Sequence, residues 1–143
     1  MAFKRILMAV LAMATATLVA PMANAQSAKP VLIFACDDAS EPCKVWRSQW
    51  QPLLAGSPAY KMIELRTVNA PTAQALLKQA AWPADLRWVL DTFLMSQQGQ
   101  WQEYETPRFF LVQDGAITAA TAGNNGWRDF MWPTILDVTN TKP

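Results

Sequence analysis

The chain has 143 residues, with twelve Lys and Arg, eleven Asp and Glu, two cysteines and no histidine. A net charge of +1 without any basic run gives nucleic-acid binding no electrostatic support. The lack of histidine removes His-based triads, haem attachment through C-x-x-C-H and the usual zinc sites, and two cysteines alone cannot complete a four-thiolate site, so no metal and no cofactor is implied.

Residues 1–25 read as a cleavable export signal. Lys4 and Arg5 form a positive start, and Ile6 to Ala20 is apolar except for Thr15 and Thr17. Pro21 then stops the helix, and Ala23-Asn24-Ala25 offers small residues at the positions a signal peptidase reads. The apolar run is shorter than the ~20 residues a spanning helix needs, which favours cleavage over stable membrane insertion. A lipid-attachment reading of Cys36 is disfavoured by Lys29, Pro30 and the bulky Phe34 before it. The mature chain is expected to be one domain over 26–143, with ten basic and eleven acidic side chains. Its destination is periplasmic or secreted, an oxidising compartment where disulfides persist.

Val31 to Ala35 is a continuous apolar run, suited to a strand buried on both faces. Asp37 to Pro42 is a polar bend that opens a helix to about Leu54, with Ser40 or Asp38 as cap and Pro42 in the first turn. Trp46, Trp50, Leu53 and Leu54 share one helical face, and Cys43 points with them. Gly56-Ser57-Pro58 ends the element.

Tyr60 to Val68 reads as a second strand. A helix is expected from Pro71 to Ala81, with Ala73, Leu76, Leu77 and Ala80 inward. A further helix opens at Pro83 and Asp85 and places Leu86, Val89, Leu90 and Phe93 on one face. Ser96 to Glu105 is a polar loop whose Trp101 and Tyr104 either contact a partner or fold back on the core. Thr106-Pro107 precedes a strand at Phe109 to Val112. Asp114-Gly115 suits a type I′ hairpin turn, and Ile117 to Thr121 returns as the partner strand. Gly123 and Asn124-Asn125-Gly126 break the chain before a last helix from Trp127 to about Val138, which Pro133 should kink. The opening strand–helix–strand implies a right-handed parallel crossover, and the hairpin an antiparallel addition.

This order, with two local blocks, resembles the thioredoxin-like family. Ala39-Ser40-Glu41-Pro42-Cys43-Lys44 is similar to the family's Trp-Cys-Gly-Pro-Cys-Lys. Thr106-Pro107 before an apolar strand and an Asp-Gly turn resembles its Thr-Pro-Thr segment and hairpin, and Gly123 falls where a glycine usually precedes the last helix. The resemblance spans residues 31–139 and implies an α/β fold, a central mixed sheet of about four strands flanked by helices. It also implies a cis proline at Pro107 that, with Thr106, lines the site and pairs with extended substrate chain.

The departures bear on function. Ser40 takes the nucleophilic cysteine's place, Cys43 that of the shielded resolving cysteine, and Phe34 that of a buried acid. Allowing an insertion makes Cys36 the first cysteine, giving C-x6-C. Exchange needs an accessible thiolate and a resolving thiol. Cys36 precedes Asp37 and Asp38, which disfavour its thiolate, whereas Cys43 lies near the helix start and Lys44. Asp37-Asp38 is a loose cation site at most and reads better as a solvated bend.

Two readings stand. In the first, Cys36 and Cys43 are catalytic in thiol–disulfide exchange with a cysteine-containing client or redox partner. In the second, they form a structural disulfide in a redox-inactive binding or assembly module. Nothing in the residues sets the oligomeric state.

Overall fold

A computed structural model describes residues 28–97 and 105–142. The expected export signal, together with Trp101 and Tyr104, lies outside the described residues. Four strands form one sheet: β1 (Val31–Asp37), β2 (Glu64–Ala70), β3 (Arg108–Gln113) and β4 (Ala116–Ala122). Their order is β2-β1-β3-β4, with β1 parallel to β2 and antiparallel to β3, and β3 antiparallel to β4. With helices on both faces and a cis Thr106-Pro107 peptide before β3, this is the thioredoxin-like arrangement that the resemblance implied.

The apolar runs of β1 and β3 are buried on both sides because strand side chains alternate between faces. Leu32, Phe34 and Cys36, with Phe109 and Leu111, enter one core; Ile33, Ala35, Phe110 and Val112 enter the other. The first core is covered by α1 (residues 41–55) and α3 (residues 123–138), and the second by α2 (Arg87–Gln97). Phe34 stacks on Trp46 with centroids 4.2 Å apart, and Trp46 meets Trp127 edge-on at 5.1 Å. Such aromatic burial stabilises the fold by about 1.5–3 kcal/mol per side chain.

Leu86, Val89, Leu90 and Phe93 are all buried beneath α2, as their spacing predicts. Asp114 and Gly115 both carry positive φ (50° and 76°), the type I′ pair that the hairpin needs.

Other elements differ from the sequence reading. The segment at Tyr60 is a 3-10 turn over Pro58–Met62, so β2 begins only at Glu64. The helix expected from Pro71 to Ala81 is two 3-10 turns, Ala75–Leu77 and Gln79–Ala81. Of its inward set Leu76 alone is buried and Ala80 is exposed. Trp82 explains this: its indole Nε1 donates to the Leu76 carbonyl at 2.7 Å, taking an acceptor that a regular helix would use. Gly123 to Gly126 does not break the chain but forms the first turn of α3.

Both α1 and α3 carry a central π-helical stretch, Trp46–Trp50 and Trp127–Met131, flanked by Pro52 and Pro133. A proline inside a regular helix lacks an N–H and clashes with the carbonyl four residues back. The wider π turn lets both helices pass through their prolines. It also rotates Leu53 off the apolar face: Trp46 and Leu54 are buried, but Leu53 is 63% exposed.

Candidate functional site

Ser40 starts α1. Its backbone is extended, and its Oγ accepts from the Cys43 N–H at 3.3 Å, which satisfies one of the unpaired donors of the first turn. Capping at this residue turns Cys43 inward toward β1. Cys36 comes from β1, paired with Asn69 of β2, one residue further along the strand than its apolar run alone suggested. The two cysteines form a disulfide with a Cα–Cα separation of 6.1 Å, inside the range such bonds need.

Burial governs what this bond can do. Cys36 and Cys43 are each 0% exposed and sit in the core with Phe34, Trp46 and Phe109. Ser40, half-buried at the start of the helix, carries no thiol.

Thr106 and Pro107 come up beside the end of β1. Ala35 pairs with Arg108 at the end of the antiparallel register, and the next link between the two segments is that of Asp37 with Thr106. Thr106 Oγ1 donates to Asp37 Oδ2 at 2.7 Å. Asp37 is 5% exposed, so this half of the expected solvated bend is instead a buried, hydrogen-bonded carboxylate; Asp38 remains exposed. The alternation that turns Cys36 toward α1 turns Asp37 to the opposite face, where Thr106 also lines the second core. Asp37 was the residue the sequence reading missed. A usable signal was present in the strand continuing past Ala35, which leaves an acid at a buried register position.

Two further bonds tie the site to α3. The Gly123 N–H donates to the Pro107 carbonyl at 2.8 Å, and Asn124 Nδ2 donates to the Pro42 carbonyl at 3.1 Å. Gly123 has φ +75°, a backbone conformation that side chains with a Cβ rarely adopt, so glycine suits this junction. Disulfide, cap, proline loop and α3 thus form one linked frame.

Two arginines flank it. Arg47 lies over the Phe34 ring at 5.4 Å and donates to Asn69 Oδ1 at 2.6 Å. Arg108 lies 4.9 Å over the Phe93 ring, where burial pushes its guanidinium below its ordinary value while the Glu105 charge pulls the other way. The cavity beside Thr106 and Arg108 is about 20 Å3, room for roughly one water and not for a small-molecule substrate. Among the described residues no three Cys, Asp or Glu side chains come together as metal ligands, and no helix is long and apolar enough to cross a membrane.

No protein-family model and no curated protein matches the chain. Among solved structures, Trxlp from Edwardsiella tarda EIB202 is similar at 19% sequence identity with a TM-score of 0.43, over 80% of this chain and 84% of that one. StoA from Bacillus subtilis is similar at 15% identity with a TM-score of 0.40, over 69% of this chain and 77% of that one.

Proposed function

We propose that this is an exported thioredoxin-fold binding or assembly module whose Cys36–Cys43 disulfide staples the fold, and whose working surface is the loop at Thr106 and Pro107. The observation that carries this reading is the complete burial of both cysteines inside an aromatic core. Exchange begins with a thiolate reaching a sulfur along the S–S axis, and neither sulfur is open to one. The staple closes a loop between residues seven apart, worth about 2.5 kcal/mol in the chain-entropy model. The resemblance supports the surface: a cis proline beside a strand end is where the family pairs with extended chain.

The second reading, thiol–disulfide exchange through Cys36 and Cys43 with a cysteine-containing client, is favoured by the disulfide itself and by the cis Thr106-Pro107 peptide, whose Thr106 bonds Asp37, the neighbour of Cys36. One measurement separates the two. The reduction potential of the pair, measured against dithiol and glutathione buffers, is expected below about −300 mV for a staple. A value between about −120 and −270 mV, with mixed disulfides trapped by the Cys43→Ser protein, would replace the binding reading by exchange. The double Cys→Ser protein should melt earlier yet keep its activity in the exporting cell.

A further inference from the structure

At the pole that carries the disulfide, the bonds between four segments close into a ring. Cys36 is followed in the chain by Asp37, whose carboxylate accepts from the Thr106 hydroxyl. Thr106 is followed by Pro107, whose carbonyl accepts from the Gly123 N–H at 2.8 Å. Gly123 is followed by Asn124, whose Nδ2 donates to the Pro42 carbonyl at 3.1 Å. Pro42 is followed by Cys43, and the disulfide returns the path to Cys36. The end of β1, the loop before β3, the start of α3 and the start of α1 each supply one pair of neighbouring residues.

Two links hold the Thr106–Pro107 loop directly, Asp37 from one side and Gly123 from the other. The other two, the disulfide and the Asn124 bond, act in series through the first turn of α1 and tie those two anchors to each other. Links in series work only together: once either is open, opening the second changes little. Asn124 is suited to this task and to little else. The Pro42 carbonyl that it reaches also accepts from the Trp46 N–H, so that carbonyl stays paired without it. Its own Oδ1 is buried with no donor among the described residues, a cost that offsets the bond made by Nδ2. Removing the side chain therefore changes global stability little, and its effect falls on the ring.

We propose that Asn124 is a positioning residue that couples the Cys36–Cys43 bond to the Thr106–Pro107 loop, so that the oxidised protein holds the loop more firmly than the reduced one. The inference rests on the reading of that loop as the working surface. Reduction breaks the S–S bond: a dithiol gives up two electrons and two protons and closes to its own disulfide, and Cys36 and Cys43 become thiols. The Asn124 bond then joins α3 to a turn no longer covalently tied to β1. Both direct bonds to the loop persist, so a protein without the cysteines keeps a formed loop. Coupling is reciprocal: what the disulfide does for the loop, the Asn124 link does for the disulfide.

The test follows the loop and the cysteine pair in the purified protein, as wild type, Asn124→Ala and Asn125→Ala. Asn125 is the exposed neighbour in the same turn and controls for helix propensity. Hydrogen exchange of the Gly123 amide, the donor to Pro107, reports opening of the loop. Asn124→Ala should speed that exchange about fivefold, the scale of one hydrogen bond, while the pair is oxidised, and less than about twofold after reduction by a dithiol. Equilibration with dithiol buffers should place the Asn124→Ala pair about 20 mV above wild type, the same fivefold factor for a two-electron couple. Its melting temperature should stay near that of wild type, and Asn125→Ala should match wild type throughout. An unshifted potential, with or without a fall in melting temperature, would overturn the coupling. So would equal acceleration in the oxidised and reduced proteins, or an Asn125→Ala protein that behaves like Asn124→Ala. A wild-type Gly123 amide indifferent to reduction would overturn it without any variant. The absolute potential stands apart: a value in the exchange range would replace the binding reading and leave the difference between the two proteins intact.

Discussion

The Asp37 carboxylate shows how one side chain takes its role from a neighbour 69 residues away in the chain. It is buried at the end of β1, and Thr106 supplies a hydroxyl to it at 2.7 Å. Removing a donor from a buried acceptor costs more than the bond itself contributes, because the acceptor stays desolvated. Thr106→Val should therefore lower stability by about 1–3 kcal/mol, read as a lower urea midpoint, while Thr106→Ser stays near wild type. A Val protein as stable as the Ser protein would show that solvent reaches Asp37 after all. At this scale the cysteines are equally contextual: the same residue type is reactive when exposed at a helix start and inert when sealed under aromatic rings.

Elements are decided at their ends and at their prolines. Ser40 sets the start of α1 and thereby the inward turn of Cys43. Ser40→Ala should cost about 0.5–2 kcal/mol, a drop in melting temperature of roughly 4 °C per kcal/mol for a domain of this size, and Ser40→Asp should restore most of it. An Ala protein that melts with wild type would mean that the disulfide alone holds the turn. The two long helices resolve an apparent conflict between apolar periodicity and interior proline by widening into π turns. Leu53, just after the π stretch of α1, is left exposed. The segment from Pro71 to Ala81 went the other way. Its apolar spacing suits a helix, but Trp82 captured the Leu76 carbonyl, and the chain settled into 3-10 turns.

At the scale of the molecule, one sheet separates two apolar cores, and ion pairs bridge its surface. Arg66 of β2 holds Asp85, just before α2, in a two-pronged pair with distances of 2.9 and 3.2 Å. The Arg66 hydrogen bond lowers the Asp85 carboxyl below its ordinary value of 3.8. A group whose folded value is depressed contributes stability that is present above its ordinary value and is lost as pH falls through the folded one. Asp85→Asn should flatten the decline of the urea midpoint below pH 3.8, with little change at neutral pH because the pair is exposed. An unchanged acid slope would mean that the pair also persists in the unfolded chain. The Cys36–Cys43 disulfide acts at the same scale, since it joins β1 to α1 and so ties the sheet to the layer that covers it.

Much of this architecture was legible in the residues. The double-sided apolar runs of β1 and β3, the face of α2, the Asp-Gly hairpin and the Ser40 cap follow from local periodicity and turn chemistry, which depend on neighbours within a few positions. The mixed sheet of about four strands and the cis Thr106-Pro107 peptide were reached through resemblance and agree with the structure, whereas the strand order comes from the structure alone. What local chemistry cannot contain is the pairing of distant groups. The burial of Asp37 beside Thr106, the sealing of both cysteines in a core with Phe34, Trp46 and Phe109, and the edge-on meeting of Trp46 with Trp127 each bring together residues from separate elements. Their surroundings, and with them their chemistry, exist only once the sheet and helices have packed. Two cysteines seven positions apart admit both exchange and a staple, and it is the packed aromatic core, by closing access to the sulfurs, that weighs toward the staple.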